Sequence, residues 1–336
     1  MEPFLPYIFM AVMLVVYLSS VPGMIIIERR LSAWLQYRVG PNRVGPFGLM
    51  QPMADALKFL SKEDIIPLHV KRWLYLFAPA LMVFPAFFVI AVIPWGVLTL
   101  NGKEIFIQIA QTNIGILFIL AISSLTVYSI VFGAWTSNKY ALLGGLRASA
   151  QMISYELPMG LAVMSMIMMA GTLRLEGIVQ YQMDTVWGLF QQPIGGLIFI
   201  ITAFAETNRL PFDLPESEAE LVGGYHTEYS SMKFAMFYMG EYCNMLTAAS
   251  LITLLFLGGW HVPLVSSMGL EPLTVQIIQI GGFGLKVALI MLFFVWMRWT
   301  LPRFRYDQLM HLGWKWLIPL TLANIVLTAI LMAIFR

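Results

Sequence analysis

The stretches 3–27, 74–102, 105–138, 157–173, 185–205 and 316–335 are each at least seventeen residues long and carry no charged side chain. Two more, 234–263 and 272–297, carry one charge each, Glu241 and Lys286. A bilayer core about 30 Å thick needs roughly 20 apolar residues in helical form. The pattern therefore predicts an all-α polytopic membrane protein with eight transmembrane helices. Only 11% of residues are charged and 59% are hydrophobic, whereas a soluble domain carries about 25% charged residues. Segments alternating with period 2, which would mark an outer-membrane barrel, are absent. The first stretch lacks a basic start and is too long for a cleaved signal. With no repeat and no low-complexity linker, residues 1–336 read as a single transmembrane domain.

Basic residues set the orientation, because loops rich in Lys and Arg stay in the cytoplasm. The first, third, fifth and seventh loops hold sixteen, eight of them in loop 28–73; the opposite loops and the C-terminus hold only Lys103, Arg174 and Arg336. The odd-numbered loops are expected in the cytoplasm and both termini across the membrane from it.

Composition excludes several other chemistries. A net charge of +2 gives no reason to expect nucleic acid. One cysteine, Cys243, rules out an internal disulfide, a CxxC redox pair and a self-sufficient iron–sulfur or Cys-rich zinc site. The four histidines show no metal-binding spacing, and no Gly-x-Gly-x-x-Gly follows a strand, so no metal, nicotinamide or flavin is expected on this chain.

Loop 28–73 opens with Glu28-Arg29-Arg30 and passes through a turn region rich in Gly and Pro at 39–48. An amphipathic helix is predicted near 49–62, with Leu49, Met53, Leu57 and Leu60 on one face and Gln51, Asp55, Lys58 and Lys62 on the other. Such a helix lies in the membrane interface. It is either an anchor or the floor of an access route for a lipid-like substrate. Arginines 29, 30, 38 and 43 either meet lipid headgroups or line a polar mouth.

The acidic loop 206–233 breaks the positive-inside pattern. From Glu206 to Glu241 there are seven acids, Glu206, Asp213, Glu216, Glu218, Glu220, Glu228 and Glu241, against two bases, Arg209 and Lys233. It is either a solvated surface for a basic partner or, since Leu210, Phe212, Leu214, Leu221 and Val222 interleave with the acids, a segment folded back into protein. Glu156 is expected at the start of the fourth span, Glu206 at the end of the fifth and Glu241 about seven residues into the sixth. An ionisable group inside a span is costly and a functional hypothesis by default. A descending file of carboxyls suits proton transfer. Arg147, Arg209 and Lys286 are the cations available to pair with them.

At these residues the chain resembles the H-subunit family of proton-pumping NADH:quinone oxidoreductase, respiratory complex I. The resemblance rests on Glu28-Arg-Arg-Leu, QYRVGPNRVGPFG at 36–48, Gln51-Pro-Met-Ala-Asp-Ala-Leu-Lys58, Leu146-Arg-Ala-Ser-Ala-Gln-Met-Ile-Ser-Tyr-Glu156 and the long string from Ala205 to Leu221. His226-Thr-Glu-Tyr-Ser230, Gly240-Glu-Tyr242 and Arg298-Trp-Thr-Leu-Pro-Arg-Phe-Arg-Tyr-Asp-Gln-Leu-Met310 complete it. The resemblance implies an eight-helix subunit at the joint between a membrane arm and a soluble arm, with quinone as substrate and lipid around it. It implies quinone binding at Arg29, Arg38 and Asp55. It implies a proton relay through Glu156, Glu206, Asp213, Glu216, Glu218, Glu220, Glu228 and Glu241. FMN and iron–sulfur clusters would belong to partner subunits, and the host would be a bacterial inner membrane or an organelle's. Membrane components of hydrogenases and plastoquinone-reducing complexes share these motifs. A further class, an autonomous ion transporter, is disfavoured: Lys286 has no counterpart in the other half, and the acids cluster in one loop.

Overall fold

The computed structural model describes residues 5–100, 103–214, 222–263, 265 and 271–335. Helices occupy all eight expected spans, but their ends differ from the limits of the charge-free runs.

Helix α1 (Leu5–Leu35) runs on past residue 27, so Glu28, Arg29 and Arg30 stand inside it and not at the start of a loop. Nothing in Glu-Arg-Arg breaks a helix, and each charge finds a partner outside it. The helix stops at Tyr37 (φ +53), where the Tyr37 and Arg38 amides bond back to Trp34 and Ala33 carbonyls. This is the arrangement usually closed by glycine. The turn that follows needs Gly48 (φ +73), because a Cβ there would lie 2.2 Å from the Pro41 carbonyl oxygen. Helix α2 (Gln51–Ser61) is the predicted amphipathic helix. Leu49, Met53, Leu57 and Leu60 are all exposed and none of its residues is buried, as suits a helix lying at the membrane surface.

Helix α3 (Arg72–Ile90) ends twelve residues before its charge-free run does. The remainder turns through Pro94 and pairs as an antiparallel hairpin, β1 (Val97–Leu100) with β2 (Lys103–Phe106), Leu98 opposite Ile105. A lack of charge alone does not tell a β-rich apolar segment from a helix. The third span divides at Ser124 into α4 (Gly115–Ser123) and α5 (Leu125–Trp135). Helix α6 (Lys139–Ala170) starts at Asn138, whose side chain accepts from the Ala141 amide, and ends at Gly171 (φ +68). It begins eighteen residues before the charge-free run at 157, which puts Glu156 near its middle, about 25 Å from its first turn.

The fifth span is shorter than expected. Helices α7 (Leu175–Asp184) and α8 (Gly188–Gln191) precede α9 (Pro193–Glu206). Helix α10 (Ser231–Phe256) is buried almost all round in its second half. Starting at Ser231, it carries Glu241 about 15 Å inward, deeper than the seven-residue expectation. Helix α11 (Pro272–Thr300) follows, then α12 (Tyr306–His311), a π-helical turn (Leu312–Leu317) and α13 (Ile318–Phe335). Among the described residues, six helical segments are long and apolar enough to cross a membrane, and the apolar α9 is shorter. The chain is a multi-pass membrane protein.

Close approach of backbones holds the bundle together. A Cβ on Gly145 of α6 would lie 2.2 Å from the Ala134 Cβ of α5, and one on Gly240 of α10 would meet Met82 of α3 at 2.5 Å. With no hydrophobic drive between helices in lipid, such small-residue contacts supply the packing.

Candidate functional site

A cavity of about 610 Å³ opens between α1, α2, α10 and α11. Its walls are mainly apolar, from Val21, Ile25, Phe59, Phe87 and Met239 among others. Its charged residues are Glu28, Arg29, Arg38, Asp55 and Arg298. All three residues that the resemblance assigns to quinone, Arg29, Arg38 and Asp55, thus line one cavity. Arg29 pairs with Asp55 at 2.6 Å, joining α1 to α2. The Arg38 Nε donates to Gln36 at 2.7 Å.

One wall of the cavity is a buried charge cluster. Glu28 accepts from Arg209 at 3.2 Å, from the Tyr242 hydroxyl at 2.7 Å and from Arg298. The Arg209 guanidinium also lies 4.6 Å from the Tyr242 ring. Burial works against the Arg209 charge, but Glu28 foremost, then Tyr242 and Glu241, more than offset it and hold it protonated. Arg209 therefore feels the carboxyl on the cavity wall and the carboxyl within α10 together. In the sequence Glu28 stands only as the start of a basic run, and neither Tyr242 nor Arg298 is singled out there. The available signal is the Arg298 string, far along the chain.

The described acids of the expected relay fall into three groups, Asp213 with Glu241, Glu206 with Glu156, and Glu228 beside His69. Glu241 is buried and accepts from the Tyr225 hydroxyl at 3.2 Å. Asp213 is buried and pairs with Arg303 at 3.0 Å. Burial pushes the Asp213 carboxyl up to about 6; Arg303 opposes the rise and Glu241 adds to it. The protonated form is favoured below that value, and the ionised form costs stability above it. Glu206 closes α9 and lines a small cavity with Ser123, Asn244 and Thr247, and Glu156 is its electrostatic neighbour. Glu228 lies 3.5 Å from His69 Nε2. Glu216, Glu218 and Glu220 lie outside the described residues.

The three candidate cations divide. Arg209 pairs with Glu28. Arg147 lies 5.9 Å from the Tyr306 ring. Lys286 does not pair with a carboxylate among the described residues: its ammonium donates to the carbonyls of Leu257, Gly259 and His261 at 2.7–2.9 Å, and lies 4.7 Å from the Trp187 ring. These carbonyls sit at and beyond the C-terminal end of α10, where a cation is favoured. Lys286 anchors that end, a role that a lone charge in a span does not disclose.

The chain is thus a membrane bundle with a large apolar cavity that ends in charge, and it buries the carboxyls of Asp213 and Glu241. The profile of the NADH dehydrogenase family matches residues 8–329. The chain is 50% identical over 320 residues to the first H-subunit of the NADH-quinone oxidoreductase of Geobacter metallireducens, covering 95% of this chain and 93% of that protein. It is 48% identical over 310 residues to the corresponding first H-subunit of Cytophaga hutchinsonii, at 92% and 91% coverage. It is 50% identical over 325 residues to NADH-quinone oxidoreductase subunit 8 of Rhodothermus marinus, at the same coverage. The chain belongs to the H-subunit family of NADH-quinone oxidoreductase, respiratory complex I. It is a membrane subunit of an oxidoreductase complex.

Proposed function

We propose that the cavity between α1, α2, α10 and α11 receives a membrane quinone, and that the carboxyl file couples its reduction to proton translocation. The observation that carries this reading is the cavity itself. Its apolar walls suit an isoprenoid tail, while Arg29, Asp55 and the Glu28 cluster offer a polar end to a carbonyl-bearing head. Arg209 links that end electrostatically to Glu241 and so to the file.

In this reading the chain is a single domain in a bacterial inner membrane, with the segment between α1 and α3 and the acidic segment between α9 and α10 in the cytoplasm and both termini opposite. Flavin and iron–sulfur clusters belong to partner subunits, since one cysteine cannot hold a cluster. Protons pass among Glu156, Glu206, Asp213, Glu228 and Glu241, together with Glu216, Glu218 and Glu220.

Arg29→Ala and Asp55→Ala in the assembled complex test the site. Each is expected to raise the apparent KM for a hydrophobic quinone about tenfold, the factor set by about 1.4 kcal/mol. NADH oxidation by a soluble artificial acceptor should stay intact. Unchanged quinone kinetics in assembled variants would reduce these residues to membrane anchors.

A further inference from the structure

Helix α2 walls the cavity through Pro52, Asp55, Ala56 and Phe59, yet it buries none of its own residues. An eleven-residue helix is marginal alone and takes its position from tertiary contacts. Its N-terminal half is tied to α1 by the Arg29–Asp55 pair.

Its other end is held differently. The Ser231 hydroxyl donates to the Phe59 carbonyl at 2.8 Å, and the Ser230 hydroxyl accepts from the Ile65 amide at 3.1 Å. The Tyr75 hydroxyl reaches the carbonyls of both Ile65 and Glu228. Lys233 closes the knot, with its ammonium 2.9 Å from each oxygen of Asp64 and 5.0 Å from the Tyr75 ring. Ser231 adopts φ +55, a conformation rare for a residue with a side chain, at the point where it bonds to α2. Phe59 and Phe234 face each other across the junction, ring centres 6.2 Å apart, and both line the cavity.

Lys233 differs from an ordinary surface cation. Only 11% of its side chain is exposed, against 48% for Asp64. An exposed pair contributes little, but a lysine enclosed against an aromatic ring keeps its head where the carboxylate needs it.

We propose that Lys233 and Asp64 are a positioning pair for quinone reduction: by tying the segment that leaves α2 to the start of α10 they hold α2 in place and so set the width of the cavity wall that a quinone tail must pass. The inference rests on the quinone reading of the cavity. Without the latch, α2 samples other positions and only a fraction of molecules holds the competent wall. The apparent affinity then falls by that fraction. A long tail spans the wall and feels the change; a short one feels it less.

The test uses the assembled complex in membranes, comparing a long-tailed isoprenoid quinone with a short alkyl quinone. Lys233→Ala and Asp64→Ala should each raise KM for the long quinone about fivefold, corresponding to a competent fraction of about one fifth. They should leave kcat within about twofold and change KM for the short quinone less. The charge swap Asp64→Lys with Lys233→Asp should bring KM back toward wild type. A merely structural role would lower the amount of assembled complex without changing KM. Wild-type KM in both assembled single variants overturns the latch, as does an assembled swap whose KM stays raised; the swap decides the matter if the single variants do not assemble. Arg29→Ala, measured alongside, separates the two ideas. If it shifts KM and the latch variants do not, only the latch fails; if none shifts KM, the quinone reading fails with it.

Discussion

Glu28→Ala is expected to be the most damaging single substitution in the bundle. Glu28 accepts from two guanidinium groups and a phenol, and only 9% of its side chain is exposed. Its removal leaves Arg209 and Arg298 close together with no intervening anion. Arg209 is itself enclosed, at 8% side-chain exposure, and cannot turn to water. Breaking a buried pair by deleting one partner typically costs about 3–5 kcal/mol. Glu28→Gln keeps an acceptor for Tyr242 but not the charge, so it should be nearly as harmful. The double variant Glu28→Gln with Arg298→Gln should recover part of the loss, because one stranded cation goes with it. Thermal unfolding of the detergent-solubilised complex, followed through this subunit, measures all three. Equal stability of Glu28→Ala and wild type would show that the cluster does not hold α1 to α10 and α11.

The second large effect is expected on proton movement. Glu241→Gln preserves shape and a hydrogen-bonding head for Tyr225 but cannot titrate. The variant should assemble, keep electron transfer to soluble acceptors and lose most quinone-linked proton pumping, measured in inverted vesicles by a pH-sensitive dye. It should also move Asp213, since Glu241 is one of the groups raising that carboxyl. The Asp213 midpoint should fall below about 6, seen as a shifted carboxyl band that Asp213→Asn abolishes. Full pumping in assembled Glu241→Gln would make the carboxyl structural, and an unmoved Asp213 would separate the two groups.

The span count is readable because charge is costly in lipid, and charge-free runs mark where no such cost arises. Span ends are not readable by the same logic. A charge is tolerated within a helix once it is paired, and Glu28 is paired by residues 181, 214 and 270 positions away. Nothing local to 28–35 announces those partners, so α1 is longer than its charge-free run. The opposite error arises at 91–100, where apolar residues form a turn and the first strand of a hairpin. Glu156 falls at mid-helix for the reason that extends α1: α6 carries its own polar residues, such as Gln151, which donates to the carbonyls of Ala205 and Phe212. The amphipathic helix is fully legible, because its two faces are written within eleven residues.

The site divides along the same line. Arg29, Arg38 and Asp55 sit in one continuous segment with its own turn chemistry, and they meet at the cavity. The Glu28–Arg209–Arg298–Tyr242 cluster joins four segments, and only folding brings them together. Lys286 misleads because a lone cation in a span suggests a carboxylate partner, whereas helix-end carbonyls satisfy it as well.

Photolabelling reports whether quinone occupies the cavity between α1, α2, α10 and α11. A quinone carrying a photoreactive group on its ring is added to the complex in native membranes and irradiated, and labelled peptides of this chain are mapped by mass spectrometry. Labels are expected within residues 28–59 and 232–243, suppressed by excess unlabelled quinone and reduced by Arg29→Ala. Labels that resist competition, or that fall only on lipid-facing helices such as α13, would contradict the quinone reading of the cavity.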